Sequence, residues 1–382
     1  MSEREQSIKP NITNKNYSEM NGTPKIKVVG VGGGGCNAVR YMSENDIVGV
    51  EFIIINTDNQ SLRVTSNSNI DTVQIGQKLT GGLGAGADPS IGESAAEENV
   101  EDIRNALKGA NMVFITAGMG GGTGTGAAKV VAREAKNLGI LSVGVVTKPF
   151  PFEGSKRANF AIEGINSIKD FIDSLIIIPN AKLHEVLGGE IKLTDAFDTV
   201  NTVLYEAVKG ISEIITSTGL VNVDFADVRT VMKDGGPSMM GSGQTKGENR
   251  ARDAIETAIN SPLLDGITFN KAKGILVNIT TNYDLTMSEY DTIGNIITNL
   301  AHEDATIVIG TINSTDIEKD EIKINIVATG LMETIEKEKP NKSLLGQQSK
   351  GLNINKERSD NINQKEKNRD KGNSDLPAFL RK

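Results

Sequence analysis

The 382-residue sequence predicts an α/β protein with a parallel sheet covered by helices on both faces, a long central helix and a second α/β unit. Short apolar runs alternate with amphipathic stretches as far as about residue 178, which is typical of parallel strands joined by helices. One long helical pattern follows, and then short helices and alternating strands return. These three observations together predict the fold class.

The first unit, predicted for residues 24–193, contains five strands, expected at 26–31, 50–55, 112–116, 141–147 and 175–178. The helices between these strands are predicted to begin at about Asn37 and to cover 90–107, 125–138 and 155–173. Because nearly every strand is apolar throughout, we expect both faces of the sheet to be buried.

The central helix is assigned to 194–218, with its clearest apolar periodicity between 193 and 216. Its wide apolar face predicts a well-buried helix. The second α/β unit is assigned to 219–332. Its helices are predicted at 224–232 and 247–258, and its strands at 273–280, 306–312 and 321–330.

Both ends of the chain lack the composition of a folded core. Residues 1–23 are polar and rich in asparagine, which predicts a disordered arm. Residues 333–374 are predicted to be a disordered linker, with eight basic and four acidic residues from 340 onwards. Apolar side chains return in 375–382, from Asp375 to Lys382, which suggests a peptide that folds onto partners; an unremarkable chain end is the alternative.

Composition excludes several classes of protein. One cysteine, Cys36, excludes an intramolecular disulfide framework, and two distant histidines give no zinc spacing, so any metal should be a hard cation held by oxygen. A net charge of −8 gives no general reason to bind nucleic acid or anionic lipid. The N-terminus lacks the apolar core of a signal peptide, and no run is long enough to span a membrane, so we expect a cytoplasmic protein.

The most informative motif is the glycine run from Gly118 to Gly126, between an apolar strand and a small-residue helix. Backbone N–H groups of such a run can surround an anion, and the helix that follows directs its positive end to the same place. Thr123 and Thr125 add hydroxyl groups. The run is not a Walker P-loop, because no Gly-Lys-Ser/Thr follows it.

A second glycine loop follows the first strand, where Gly30, Gly32 and Gly35 satisfy G-x-G-x-x-G, and Asp58 stands at the spacing of a ribose-binding acid. This pattern alone would suggest a dinucleotide oxidoreductase. Two convergent glycine loops suit a triphosphate better, and a third segment, 81–86, is expected to line the same pocket. No obvious hydride-transfer or nucleophile constellation accompanies the loops.

Other candidate residues have two interpretations on spacing alone. Phe197 and Asn201 share a helix face and suit a purine base, or they are core and surface residues. Glu153 and Arg157 suit a nucleoside, or they form an ordinary ion pair four residues apart.

Acidic residues and the cysteine are equally open. Asp224 and Asp227 at a helix start are typical caps, or they polarise a water for attack on a γ-phosphate. If these acids lie far from the glycine loops, they would serve only a neighbour's nucleotide. Cys36 at a helix N-terminus is interpreted as a packing residue, although that position can lower the pKa of a thiol.

The glycine run resembles the signature loop of the tubulin/FtsZ superfamily, and residues 25–332 and 375–382 resemble the bacterial FtsZ family. The most specific segments are 30–39, 56–58, 83–87, 112–128, 145–152, 178–180, 222–232, 240–243 and 377–382. Cys36, where glycine or alanine is common, and the long N-terminal arm depart from the family pattern.

The resemblance implies a Rossmann-like GTPase domain within the tubulin/FtsZ fold, and subunits that stack head to tail into the bacterial cytokinetic ring. It implies phosphate contacts from two loops, comprising Gly33, Gly34, Gly35, Cys36, Asn37, Gly122, Thr123 and Gly124. It places Glu153, Arg157 and Asn201 at the nucleoside and Phe197 beside the base.

By the same resemblance, Asn222, Asp224 and Asp227 act on GTP bound to the next subunit, with Mg²⁺ on the phosphates. Residues 375–382 would bind division proteins and membrane adaptors at midcell beneath the inner membrane, with no direct membrane insertion and no specific nucleic acid. A scaffold that polymerises without hydrolysis is the remaining alternative.

Overall fold

The computed structural model describes residues 24–331, apart from 46, 64–68, 189, 218 and 265–271. Within these residues, ten strands form one sheet in the order β3-β2-β1-β4-β5-β6-β7-β10-β8-β9. The strands are β1 Ile26–Val31, β2 Val50–Asn56, β3 Ile70–Gln74, β4 Met112–Gly118, β5 Leu141–Lys148, β6 Ser174–Pro179, β7 Gly236–Lys246, β8 Gly274–Thr281, β9 Thr306–Asn313 and β10 Glu321–Thr329.

The first six strands are all parallel. Their order, 3-2-1-4-5-6, is that of a Rossmann fold, and it reverses direction between β1 and β4. Open sheets of this kind bind ligands beside the carboxyl ends of the strands at such a reversal point. The topology therefore identifies the β1–β4 junction as the place to look for a site.

Helices cover this sheet on both faces. They are α1 Gly32–Glu44, α2 Asn59–Arg63, α3 Gln77–Thr80, α4 Pro89–Glu98, α5 Val100–Leu107, α6 Thr123–Asn137, α7 Ser155–Ile168, α8 Asn180–Leu187, α9 Leu193–Thr216, α10 Phe225–Met232, α11 Arg250–Ile259 and α12 Met287–Leu300. Side chains from α1, α8, α9 and α10 pack on one face, and those from α4 to α7 pack on the other. The inner strands β1, β4 and β5 are consequently buried on both sides, whereas the edge strand β3 is mostly exposed or half-buried.

The second half of the sheet changes character at β7. Its first residues pair in parallel with β6, and the rest of the strand pairs antiparallel with β10. α11 and α12 pack on one side of this half, while Met240, Leu276 and Val327 face the α9 side. The long helix α9 thus shares one core with both halves of the molecule, which fixes their relative position.

The predicted α/β fold class is confirmed, and α9 has the predicted bounds of 193–216. Three helix predictions were wrong in detail. α1 begins at Gly32 rather than Asn37, because its glycines form the first helical turn. The predicted helix 90–107 is two helices that meet at Asn99, and the predicted 155–173 ends in a 3₁₀ turn after Ile168.

Sequence reasoning missed the strands β3 and β7 and the helices α2, α3, α8 and α12. β7 contains three glycines and alternates weakly, so its pattern resembles a loop. The predicted arm 1–23, the linker 333–374 and the peptide 375–382 lie outside the described residues.

Candidate functional site at the carboxyl edge of the sheet

The two glycine loops touch each other at the carboxyl ends of β1 and β4. A Cβ on Gly32 would lie 2.6 Å from the backbone nitrogen of Gly124, and one on Gly34 would lie 3.3 Å from the Cα of Gly118. Gly32 also has a φ of 71°, which side chains rarely adopt. Only glycine allows the two backbones to approach this closely, so the predicted convergence of the loops is confirmed.

Two helix N-termini face this junction without a side-chain cap. Neither α1, which begins at Gly32, nor α6, which begins at Thr123, has a side-chain hydrogen bond at its N-cap. The first N–H groups of a helix have no partner inside the helix, and the helix dipole makes this end positive. Two such ends side by side form a strong anion site. Gly33 and Gly34 are exposed within it, with open space around Gly33.

Hydroxyl groups and the glycine segment 81–86 hold the glycine run 118–126 in place. The Oγ1 atoms of Thr57 and Thr123 are 2.6 Å apart, and the Gly120 N–H donates to Thr125 Oγ1 at 2.8 Å. The third glycine segment also reaches the site, since a Cβ on Gly122 would lie 2.9 Å from Ala85 Cβ. The loop is therefore held in place before any ligand binds.

An aromatic group lies at the start of α9. Phe197 is 42% exposed and meets the buried ring of Phe150 edge-on at 5.4 Å, and Phe150 in turn stacks on Phe152. Asn201 is half-buried one helical turn after Phe197. An exposed ring supported from behind is a suitable platform for a planar base.

Glu153 and Arg157 do form an ion pair, so their ordinary interpretation describes the structure as it stands. Glu153 also accepts a hydrogen bond of 2.9 Å from the Phe150 N–H. Arg157 is near the glycine run 118–126, because a Cβ on Gly120 would lie 2.6 Å from the Arg157 carbonyl oxygen. The pair thus lies between the aromatic cluster and the glycine run 118–126.

Asp58, the acid on which the dinucleotide interpretation depends, has another role in the structure. The Asp58 carboxylate accepts hydrogen bonds from Ser61 Oγ at 2.7 Å and from the Gln60 N–H at 2.9 Å, and it caps α2. The bond from Ser61 is the largest cause of the lowered pKa of Asp58. These contacts account for Asp58 at this position without a ribose.

Cys36 contributes only its backbone to the site. Its side chain is fully buried beside Asn56, and burial raises the pKa of the thiol to about 11. The packing interpretation therefore describes this side chain. The neighbouring Asn37 is exposed, and its Oδ1 accepts from Arg40 Nη1 at 2.8 Å.

The acids of the 222–227 segment lie at the other end of the molecule. Asp224 caps α10 by accepting from the Asp227 N–H at 2.9 Å, and Asn222 Oδ1 accepts from the Gly219 N–H at 2.8 Å. This segment follows the last residue of α9, whereas Phe197 is in its first turns. The 20 residues from Phe197 to Thr216 correspond to roughly 30 Å of helix. One copy of the chain therefore does not bring its own acids to its glycine loops.

Known proteins share both halves of this arrangement. Residues 25–188 match the GTPase domain of the Tubulin/FtsZ family, and residues 236–332 match the C-terminal domain of the FtsZ family. The chain belongs to the FtsZ family. The predicted resemblance is thereby confirmed, and with it a GTPase activity, binding of GTP and GDP, and a role in cell division.

Individual relatives agree with this assignment. The cell division protein FtsZ of Buchnera aphidicola subsp. Acyrthosiphon pisum (strain APS) is 50% identical over 380 residues, covering 96% of this chain and 98% of the relative. That of Coxiella burnetii (strain RSA 493 / Nine Mile phase I) is 54% identical over 307 residues, covering 80% of this chain and 79% of the relative.

Solved structures are similar over the same region. An empty FtsZ dimer of M. jannaschii has a TM-score of 0.76 and 42% identity, covering 82% of this chain and 90% of that one. CetZ2 from Haloferax volcanii, with GTPγS bound in a protofilament, has a TM-score of 0.69 at 19% identity, covering 81% and 94%. The second likeness concerns the fold alone.

Two residues were missed by sequence reasoning. Asn180 follows β6 at the same sheet edge, is buried, and has an Oδ1 with no hydrogen-bond partner among the described residues. Thr57 is fully buried against Thr123. Nothing near Thr57 in the sequence marked its contact with Thr123, because the two residues are 66 positions apart.

Proposed function

We propose that this GTPase assembles head to tail into protofilaments, and that the 222–227 segment of one subunit acts on GTP bound to the next. The separation of the two sites by the length of α9 supports this proposal. Phosphate-binding groups are at one end of the helix and exposed carboxylates are at the other. Stacking subunits along α9 is the simplest way to bring the two together.

At the nucleotide end, phosphates would bind the N–H groups of 33–37 and 122–124. The base would stack on Phe197 with Asn201 at its edge, and Glu153 and Arg157 would contact the sugar and base. The unpartnered Oδ1 of Asn180 is a further acceptor at this edge, suited to the N–H groups of guanine. Guanine presents both donors and acceptors, so amide side chains suit it.

Mg²⁺ would be bound mainly by phosphate oxygens and water. Among the described residues, no group of three or more histidine, cysteine, aspartate or glutamate side chains could hold a metal ion. Mg²⁺ usually keeps several waters and binds through substrate phosphates, so a site of this kind requires few protein ligands. When bound, the ion would neutralise charge that develops on the phosphates.

At the other end, Asp224 and Asp227 would orient and polarise the attacking water, with Asn222 beside them. All three residues are exposed. Phosphoryl transfer depends on positioning the nucleophile and on stabilising charge. A subunit alone positions only the phosphates, so it should turn over GTP very slowly.

Exposed apolar residues accompany both sites. Leu83 is 90% exposed in the third glycine segment, and Leu220 is 68% exposed just before Asn222. Burial of large exposed leucines favours association. Because the two patches lie at different ends, the contact would be head to tail, which produces a filament rather than a closed dimer.

The remaining proposals concern the domain boundaries and the C-terminal residues that lie outside the described part. We propose the domain division 24–193, 194–218 and 219–332, and a tether, 333–374, that carries the partner-binding peptide 375–382. We also propose recruitment through that peptide to the midcell division site beneath the membrane. No helix in the described part is long and apolar enough to cross a membrane. Deleting 375–382 should leave GTP turnover intact and abolish binding to adaptors.

The test is GTP hydrolysis measured against protein concentration with Mg²⁺, with light scattering recorded in the same cuvette. We expect turnover per subunit to rise steeply where scattering begins. Constant turnover per subunit across that threshold would contradict catalysis at the interface. Assembly without phosphate release would instead favour a nucleotide-gated scaffold.

A further inference from the structure

The loop that carries the proposed acids is fastened to the edge strand β9 by one residue. Thr311 Oγ1 accepts a hydrogen bond of 2.9 Å from the Val221 N–H. The Thr311 N–H donates to the Val221 carbonyl at 3.0 Å. Thr311 is 4% exposed. Both backbone polar groups of Val221 are thus bound to a single buried residue.

Close packing on either side of Val221 reinforces this attachment. A Cβ on Gly219 would lie 1.6 Å from the Thr311 carbonyl oxygen, so the loop backbone lies directly against the strand. On the far side, a Cβ on Gly310 would lie 2.8 Å from Val223 Cγ2. The loop from 219 to 223 follows the edge of β9 with no space between them.

The side chains of Asn222 and Asp224 themselves have no such support from buried neighbours. Asn222 and Asp224 are exposed, so burial does not hold them. Their positions depend on the backbone that enters α10 after Val221. A shift of about 1 Å in a catalytic group can lower turnover up to about a hundredfold. The bond between Val221 and Thr311 is therefore where a small loss of structure should have a large effect on rate.

We infer that Thr311 is a positioning residue for GTP hydrolysis: its hydroxyl fixes the 219–224 loop so that the exposed acids meet the neighbouring subunit's nucleotide. This inference rests on the proposed function. Under this inference, β9 would influence hydrolysis through its hydrogen bonds to Val221, with Thr311 itself making no contact with nucleotide.

Replacing Thr311→Val tests the inference, because valine keeps the branched shape and removes the acceptor for the Val221 N–H. We expect kcat per assembled subunit to fall roughly tenfold, with the affinity for GTP and the assembly threshold unchanged. Thr311→Ser restores the hydroxyl and should recover turnover to within about twofold. Thr306→Val, on an exposed position of the same strand, is the matched control and should behave as the parent.

Comparing kcat with the affinity for GTP separates a positioning role of Thr311 from a structural one. A merely structural role would lower the melting temperature and raise the assembly threshold, and serine would not restore kcat selectively. Should Thr311→Val fail to fold, Thr311→Ala removes the same acceptor with a smaller side chain. Lowered kcat with normal GTP affinity in that variant supports the inference, and parental kcat overturns it.

Asp224→Asn, measured alongside, distinguishes a failure of the proposed function from a failure of the role inferred for Thr311. Normal turnover in Asp224→Asn would refute the proposed function whatever Thr311 does. Lost turnover in Asp224→Asn together with parental kcat in Thr311→Val would overturn only the role of Thr311.

Discussion

The two ends of α9 carry sites built in opposite ways. Beside its first turns, the site consists of backbone: glycines in close contact and two helix starts whose N–H groups have no side-chain cap. Beyond its last turn, the site consists of side chains, and the backbone N–H at the start of α10 is already bound by Asp224. One end offers hydrogen-bond donors to an anion, and the other offers carboxylates to a water.

This difference explains why neither end is sufficient. A cradle of N–H groups binds phosphate but has no base for the attacking water. Exposed carboxylates can polarise a water but repel phosphate unless something else holds it. Under the proposed function, keeping the two apart in one subunit would prevent that repulsion from weakening GTP binding until assembly joins them.

The largest expected effect is at the carboxylate end. Asp224→Asn should lower turnover roughly a hundredfold or more, because asparagine cannot act as a base. Asparagine still caps a helix, so stability should be unchanged. Asp224→Ala should lose the same turnover and also about 1 kcal/mol of stability. Turnover and urea unfolding measured on both variants separate charge from cap, and hydrolysis at the parental rate in Asp224→Asn would contradict the comparison.

At the cradle end, Gly32→Ala should lower the affinity for GTP roughly 10- to 100-fold, because the new Cβ meets the Gly124 backbone. Gly294→Ala, in α12 with nothing closer than 4.0 Å, is the matched control. Fluorescent GTP binding by the monomer is the measurement. Equal affinities in the two variants would mean that the loop contact is not needed for binding.

The aromatic platform should have a smaller effect. Phe197→Ala should weaken GTP and GDP binding alike, roughly tenfold, since it removes stacking and leaves the phosphate contacts. Tyr283→Ala removes an exposed ring elsewhere and serves as control. Competition between the two nucleotides is informative: a variant that loses GTP affinity but keeps GDP affinity would place Phe197 near the phosphates.

The smallest expected effect lies in the last turn of α9. Burial raises the pKa of the Glu213 carboxyl, despite Lys209 at 3.7 Å. The folded chain therefore binds this proton more tightly than the unfolded chain, and the resulting stability is lost as pH rises through the raised pKa. Glu213→Gln should be more stable at neutral pH, by about 0.5 kcal/mol, and equal to the parent in acid. Urea unfolding at both pH values checks the sign, and a gain confined to acid would contradict it.

Sequence reasoning located the cradle better than it located the loop. Glycines between an apolar strand and a helix leave few alternatives, so the contact between Gly32 and Gly124 was predictable in kind. The hydrogen bond between Val221 and Thr311 joins residues 90 positions apart, and nothing near either residue marks it. Capping by Asp224 was predictable from its position, whereas its further role depends on a second copy of the chain.

The same reasoning explains the errors in the fold. The glycines of 32–35 have low helix propensity, but the strand before them and the core beneath Cys36 and Val39 hold them in a helix. β7 was missed because Gly241 and Gly243 lie against the α11 backbone, where no Cβ fits. Packing overrides local preference in both places.

The length of α9 sets the distance between the two ends of the molecule. Its 24 residues correspond to about 36 Å, and it runs from the proposed base platform at Phe197 to the loop that carries the proposed acids. In a filament of stacked subunits, successive nucleotides can be no closer than this rod allows. If subunits stack as proposed, the number of helical turns in α9 would set the repeat distance of the polymer, and inserting one turn would separate each 222–227 segment from the nucleotide of the next subunit.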